Sequence, residues 1–498
     1  MCNESNLPVN IQQWLTRIEA LHVAEIALGL SRLSEVAERL GLDPNPPGRQ
    51  IIMVAGTNGK GSTVRAIEAV CVAQDIPCAA YTSPHLVDFG ERLRFQGISS
   101  EGQQWVPFFE RVERARLGVG DQLEVPLTFF EFTTLAAFLM LMQSEARVWI
   151  LEIGLGGRLD AVNWLNASVA IVTRIARDHE AWLGDNLADI ASEKCGIFRQ
   201  GCLALWADAA APAEVDLAVR QAAQSCGVGR FLTADEFGFG TLVDEGERDL
   251  YSDEVRASDS RGISAAEHAL VFYGVDAGGQ RWRLETGDTI NGTPIDQSGS
   301  VIGLSAFGRL HPAAWAAALQ TLALIVPDWG QLRDSVWPHC WADTRLPGRF
   351  DVLPGGQQGP ACWIVDVAHN EDAMTVLIEK LKAARANHHL TRVVCVFGVL
   401  SDKPWGRMLT ALQPWVSRWL LVTPETPRSV DAASLAEALG RIRPGCVETD
   451  QQTEIILPGP AALWREQVLR HVSKADVVLV CGSFFTVGPF YTDDKQSY

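Results

Sequence analysis

Nowhere does the 498-residue chain carry an apolar run of the roughly 18–20 residues that a membrane span needs. Met1 to Gln13 also lack a basic stretch leading into an apolar one, so no export signal is expected. Positive charge is in short supply: 42 Lys+Arg stand against 60 Asp+Glu, a net charge of −18. A chain this acidic repels a phosphate backbone, which argues against a nucleic-acid or membrane partner and requires that anionic substrates find local positive sites. The 11 cysteines, an odd number, include no C-x-x-C pair, so neither a disulfide framework nor a zinc-ligand spacing is present. Reduced thiols in a cytoplasmic protein are expected. No internal repeat is visible.

What is present is apolar material in quantity. With 47% hydrophobic residues and a mean hydropathy of +0.05 the chain can bury more than one core, which excludes a disordered scaffold and suggests about two or three domains. Apolar runs at Ile51–Val54, Val148–Leu151, Val169–Val172 and Leu203–Trp206 alternate with helical-period segments at Val64–Ala73, Leu187–Phe198 and Ala213–Ala223. That alternation predicts a parallel sheet covered by helices. It restarts after a Pro-, Trp- and Gly-containing passage, with strands at Cys362–Val367, Val393–Phe397, Trp419–Val422 and Val477–Val480 and a helix at Ala373–Ala384. Asp244 to His268 is rich in charge and poor in aliphatic residues, so it reads as an exposed insertion or flexible hairpin. Ala313–Val326 is apolar but too short to span a bilayer, and it reads as a buried core helix.

The strongest local signal is the run Ile51 to Thr63, in which a strand enters the loop Gly56-Thr57-Asn58-Gly59-Lys60-Gly61-Ser62 and leaves as a helix. Glycines let backbone N–H groups close on an anion, and the helix offers its positive N-terminus. Lys60 can reach terminal phosphates and the Ser62 hydroxyl can meet Mg²⁺. Gly61 separates Lys60 from Ser62, which departs from the common G-x-x-x-x-G-K-[ST] spacing.

Glu152 closes a buried strand and precedes Gly154–Gly157, a glycine run read as a mobile loop. A buried strand-end carboxylate is costly unless paired or metal-bound, so Glu152 is a candidate magnesium ligand, with a structural salt bridge as the alternative. Asp178-His179 follows another strand by a few residues, and strand-end logic brings His179 toward Glu152, Ser83 and the phosphate loop as a metal ligand. Lys194 ends a helix, where a lysine ordinarily complements the macrodipole.

In order and spacing these segments resemble the folylpolyglutamate synthase and dihydrofolate synthase enzymes of the Mur ligase superfamily. The resemblance is carried by Gly56–Ser62, Tyr81–Leu86 with Glu91-Arg92, Thr128–Glu131, Leu151–Asn163, Asp178–Gly184, Glu193–Ile197, Leu346–Phe350, Asp366–Asn370, Pro427-Arg428 and Cys481–Phe484. The likeness of Trp14 to Leu42 points to the bacterial bifunctional type. The fold this implies is α/β, with a P-loop NTPase-like parallel-sheet N-terminal domain and a smaller Rossmann-like C-terminal domain. The boundaries expected are 1–340, with the insertion at about 244–268, and 345–498.

The activity implied is ATP-dependent ligation of L-glutamate to dihydropteroate and to reduced folates through an acyl phosphate, by a monomer. The alternatives are a single-activity enzyme and a homologue that has lost catalysis. By this resemblance Gly56, Thr57, Asn58, Gly59, Lys60, Gly61 and Ser62, with Arg349 and Asp366, hold the nucleotide, and Ser62, Ser83, Glu152 and His179 hold Mg²⁺. Lys60, His179 and Lys194 are the catalytic candidates, with Lys194 carbamylated, and Asp160, Arg92, His369 and Arg428 bind substrate. Several positions depart from the family pattern. Val162 replaces a small or hydroxyl residue, Pro312 takes the place of an asparagine in the nucleotide pocket, and Phe485 takes the place of a histidine. Arg174 and Arg177 stand where neutral residues are usual, and they read either as binders of an anionic glutamate tail or as surface residues.

Overall fold

The computed structural model describes residues 7–21, 27–241, 269–275, 277, 281–289, 310–326, 340, 344–356, 359–386, 390, 392–442 and 454–491. A first sheet has eight strands: β1 (Gln50–Ala55), β2 (Cys78–Tyr81), β3 (Leu93–Phe95), β4 (Ile98–Ser99), β5 (Val148–Glu152), β6 (Val169–Val172), β7 (Leu203–Trp206) and β8 (Arg230–Thr233). Their order is β4-β3-β2-β5-β1-β6-β7-β8. Neighbours from β2 to β8 run parallel, while β3 and β4 fold back antiparallel at one edge.

Successive side chains of a strand point to opposite faces, and β1 serves both. Ile51, Met53 and Ala55 enter one core, while Ile52 and Val54 enter the other. With a core on each face no position favours a polar residue, which explains the unbroken apolar run. The second core also takes the helices Lys60–Ala73 and Pro312–Ile325. The predicted core helix is therefore present. Its one buried amide, Gln320, is satisfied at both ends: Nε2 donates to Val275 O at 2.6 Å and Oε1 accepts from Val275 N at 2.9 Å.

Val275 belongs to a small antiparallel sheet that the sequence pattern did not announce, formed by β9 (Gly238–Thr241), β10 (Ala269–Val275) and β11 (Arg281–Thr289) in the order β11-β10-β9. The insertion expected at 244–268 lies outside the described residues.

The second large sheet has six strands: β12 (Asp351–Pro354), β13 (Cys362–Asp366), β14 (Arg392–Phe397), β15 (Arg418–Leu421), β16 (Glu454–Ile456) and β17 (Asp476–Cys481), in the order β12-β13-β17-β14-β15-β16. All pairs are parallel except β12–β13. β13 divides as β1 does: Cys362 and Ile364 face one core, Trp363 and Val365 the other. No described helix is long and apolar enough to cross a membrane, and the nine described cysteines are free.

Candidate active site

The loops leaving the carboxyl ends of the parallel strands of both sheets meet in one cleft, the place where open α/β sheets bind ligands. The phosphate loop begins where β1 ends. Gly56 has φ +148°, and a Cβ there would stand 1.9 Å from Thr173 Oγ1, so no other residue fits. The loop is tied down by the segment after β6. The amides of Thr57 and Asn58 both donate to Arg174 O, at 2.7 and 3.3 Å, and Thr173 Oγ1 donates to Asn58 O at 2.8 Å. Lys60 starts the following helix, and its Nζ arches back to donate to Gly56 O at 3.0 Å and Thr57 O at 3.1 Å.

A second lysine reaches the same carbonyl. Lys194 Nζ donates to Gly56 O at 3.0 Å from a residue only 5% exposed. Its position at the end of the helix Leu187–Lys194 suggested a solvated partner of the macrodipole, and the tertiary structure buries it instead. Burial, and then the nearby Lys60 charge, bring the Lys194 amine down to about 7.

Lys194 comes close to the loop because Gly154–Gly157 is packed, which corrects the reading of that run as mobile. A Cβ at Gly157 would stand 2.6 Å from both Glu193 O and Lys194 O, and one at Gly154 would be 2.6 Å from the Phe130 ring. These glycines let the Lys194 helix approach the strand ends. Asp160, just beyond, is buried and accepts from Leu155 N at 2.8 Å and Val162 N at 2.9 Å. Burial lifts its carboxyl to about 7 against those donors. The departure Val162 is a fully buried core residue.

Glu152 closes β5 next to β1. Its Oε2 accepts from Ser83 N at 3.2 Å, and a Cβ at Gly61 would lie 3.7 Å from both carboxylate oxygens, which places the group over the first helical turn beside Ser62. Burial pushes its pKa up, while the charges of Lys60, Arg349 and Arg94 pull it back. Among the described residues no side chain forms a salt bridge with it, so the salt-bridge alternative is not seen there. His179 adopts a left-handed conformation, φ +54°, ahead of the short helix Glu180–Leu183, and burial holds its imidazole neutral with a pKa of about 4. The Ser62 and Ser83 hydroxyls and the Glu152 carboxylate are oxygen donors of the kind that suits Mg²⁺, and the neutral His179 imidazole would add a softer nitrogen donor. No described group of three or more His, Cys, Asp or Glu is placed to hold a metal alone.

Arg92 is buried and its Nε donates to His85 Nδ1 at 3.0 Å. Its guanidinium lies 5.2 Å from the centroid of Phe89 and 5.3 Å from that of Phe129, within cation–π range. Burial and the Arg92 charge bring His85 to about 3, so the imidazole is a neutral acceptor.

From the other sheet, Arg349 stacks 5.5 Å from the Phe484 ring, and burial lowers its pKa against the charges of Asp366 and Glu152. Asp366 accepts from Phe350 N and Ala368 N, each at 2.8 Å. His369 Nδ1 hydrogen-bonds to Val367 O at 2.7 Å. Arg428 Nη2 donates to Asp402 Oδ1 at 2.9 Å. Pro312 is the first residue of its helix, where a missing N–H costs nothing, and His311 Nδ1 caps the turn by accepting from Ala313 N at 3.2 Å.

Arg174 is a surface residue, its side chain about half exposed, as one of its two readings had it. Its Nε pairs with Asp372 Oδ1 at 2.7 Å, on the helix Glu371–Ala386 of the other sheet. Arg177 Nε donates to Asp185 O at 3.2 Å. Lys403 was missed altogether. It lies in the Ser401-Asp402-Lys403-Pro404 loop after β14 and donates to Asp178 Oδ1 at 2.6 Å. The strand-end logic applied to β1 and β6 would have found it.

Comparison with known proteins agrees with this layout. The Mur ligase, glutamate ligase domain family matches residues 348–484. The dihydrofolate synthase/folylpolyglutamate synthase of Escherichia coli K12 is 34% identical over 482 residues, covering 96% of this chain and 94% of its own. The chain belongs to the dihydrofolate synthase/folylpolyglutamate synthase family. Among solved members of this family, an Escherichia coli FolC structure in complex with DHPP and ADP has a TM-score of 0.71 at 32% identity, covering 96% of each chain. The Yersinia pestis bifunctional enzyme complexed with AMPPNP and Mn ion has a TM-score of 0.71 at 30% identity, covering 97% of this chain and 98% of its own.

Proposed function

We propose that this chain ligates L-glutamate to dihydropteroate and to reduced folates at the expense of ATP, through an acyl phosphate. The observation that carries the reading is the convergence of Lys60 and Lys194 on the Gly56 carbonyl, with the Glu152 carboxylate over the adjoining helical turn. A free carboxylate is a poor electrophile, so phosphorylation must first supply a leaving group, and the transferred phosphoryl needs cations fixed around it. Residues 1–340 provide the phosphate loop and residues 345–498 close over it. The closed cleft keeps water from the acyl phosphate.

Gly56 to Ser62 cradle the phosphates and Lys60 neutralises charge on the group in transfer. Arg349 holds nucleotide phosphate and Asp366 lines the nucleotide side of the cleft. Ser62, Ser83, Glu152 and His179 would hold Mg²⁺, which supplies Lewis-acid charge neutralisation at the phosphates. Lys194 is the carbamylation site. CO₂ adds only to a neutral amine, and an amine brought to about 7 supplies that form at physiological pH. Asp160 and Arg92 place the pteridine-bearing substrate, and His369 and Arg428 serve the glutamate side. The relatives' printed ligands, ADP, AMPPNP, Mn, DHPP and, in one further structure, L-glutamate, support these assignments. We read the chain as acting as a monomer in the cytoplasm, a setting with which the free thiols of the nine described cysteines accord.

ADP release measured with dihydropteroate and with tetrahydrofolate, each with and without glutamate, tests the reading. Glutamate-dependent release with both substrates, and inhibition of folate extension by saturating dihydropteroate, are expected of one shared site. Release with a single substrate replaces it with the single-activity enzyme.

A further inference from the structure

Asp178 is a buried carboxylate from the loop after β6, and three donors and one imidazole, four groups in all, surround it. Oδ1 accepts from His179 N at 2.8 Å and from Lys403 Nζ at 2.6 Å. Oδ2 accepts from Asn370 Nδ2 at 2.9 Å and faces His369 Nε2 at 3.6 Å. Three of the four come from the six-stranded sheet's side of the cleft. The Lys403 side chain is 3% exposed and has one further carboxylate near it, Asp402 Oδ2 at 3.4 Å. A buried pair this close orients both partners strongly, because few competing waters reach it.

The placement has a local consequence. His179 holds a left-handed φ of +54°, a conformation that a non-glycine residue keeps only where its surroundings over-determine it. The hydrogen bond from its own amide to Asp178 Oδ1 is one such determinant, and the same oxygen carries the Lys403 ammonium. The segment Asn370–Asp372 reaches the phosphate loop as well: Asn58 Nδ2 donates to Asp372 Oδ2 at 2.7 Å and Asn370 Oδ1 at 3.2 Å.

We infer that Lys403 and Asp178 form a clasp across the cleft that sets the His179 turn only when the two sheets close, which makes Lys403 a positioning residue of the ligation. The inference rests on the ligase reading above. Displacement of a catalytic group by about 1 Å costs on the order of a hundredfold in rate, and that sets the size of the effect sought.

The test compares Lys403→Met, which keeps bulk and removes charge, with Lys403→Arg, Asp178→Asn and the double variant D178N/K403M. The double variant removes both charges and leaves neither buried alone, so it keeps the experiment valid if a single variant folds poorly. Expected for Lys403→Met are a kcat about a hundredfold lower, a KM for glutamate within about threefold of wild type and unchanged ADP affinity. Lys403→Arg should recover at least a tenth of the wild-type rate. The double variant should be no slower than the slower single, as expected when two residues act through one contact. Hydrogen exchange in the presence of AMPPNP should show the His179 amide about tenfold less protected in Lys403→Met.

A KM for glutamate raised more than tenfold with kcat nearly intact would overturn the clasp and make Lys403 a direct glutamate ligand. Multiplying effects in the double variant, or unchanged protection at His179, would overturn it too. If the wild type releases no ADP with any pteroate or folate, the ligase reading fails, and the exchange arm still judges the clasp.

Discussion

Two glycine-rich segments follow neighbouring strands of the same sheet and do opposite things. Gly56–Gly61 after β1 is the segment proposed to cradle phosphate, and its backbone geometry at Gly56 admits no side chain because Thr173 lies against it. Gly154–Gly157 after β5 is instead filled from outside, since its glycines are spaces into which the Lys194 helix and the Phe130 ring press. The first segment brings Lys60 to the Gly56 carbonyl from within the loop, and the second lets Lys194 reach the same atom from another helix. Glycine thus serves binding in one place and close approach in the other, and composition alone does not tell them apart.

The comparison is broken most severely at the first segment. Lys60→Ala should lower glutamate-dependent ADP release by about a thousandfold, the upper end for removing one preorganised charge-stabilising group. Circular dichroism should stay unchanged, because the side chain leaves no core. Near-wild-type turnover would refute the phosphate-loop assignment. Lys194→Ala should cost about a hundredfold and regain part of it with added acetate or formate, which replaces the lost carbamate. A wild-type rate in CO₂-depleted buffer, unmoved by bicarbonate, would remove the carbamate.

At the second segment Gly157→Ala should destabilise by about 1–3 kcal/mol, the usual cost of forcing a methyl into packed backbone. It should also reduce turnover by withdrawing Lys194 from Gly56. Urea unfolding gives the first number and ADP release the second; loss of stability with full turnover would separate the glycine from the lysine.

The smallest effect is in pH. The Lys194 amine has a pKa of about 7, below its ordinary value, so the folded protein releases a proton there that the unfolded chain keeps. The penalty for burying that charge is complete below about pH 7 and fades toward pH 10. Stability should therefore rise with pH across that window in CO₂-free buffer, and Lys194→Met should flatten the rise in urea midpoints.

By itself the sequence determined the two α/β regions, eight of the seventeen described strands to within a residue or two, and the phosphate loop with Lys60, because each depends on local periodicity or contiguous residues. Ile51–Val54 and Cys362–Val367 were legible since a strand buried on both faces has to be apolar throughout. The places of Glu152, His179 and Ser83 at or after strand ends followed from one rule. Only tertiary structure decided that Lys194 is buried rather than solvated, that Gly154–Gly157 is packed rather than mobile, and that Arg174 pairs with Asp372. It alone revealed that Lys403 grips Asp178 across 225 positions of chain. The physical reason is common to all of these: desolvation and close approach depend on what the rest of the chain brings alongside, and no window of sequence contains the partner.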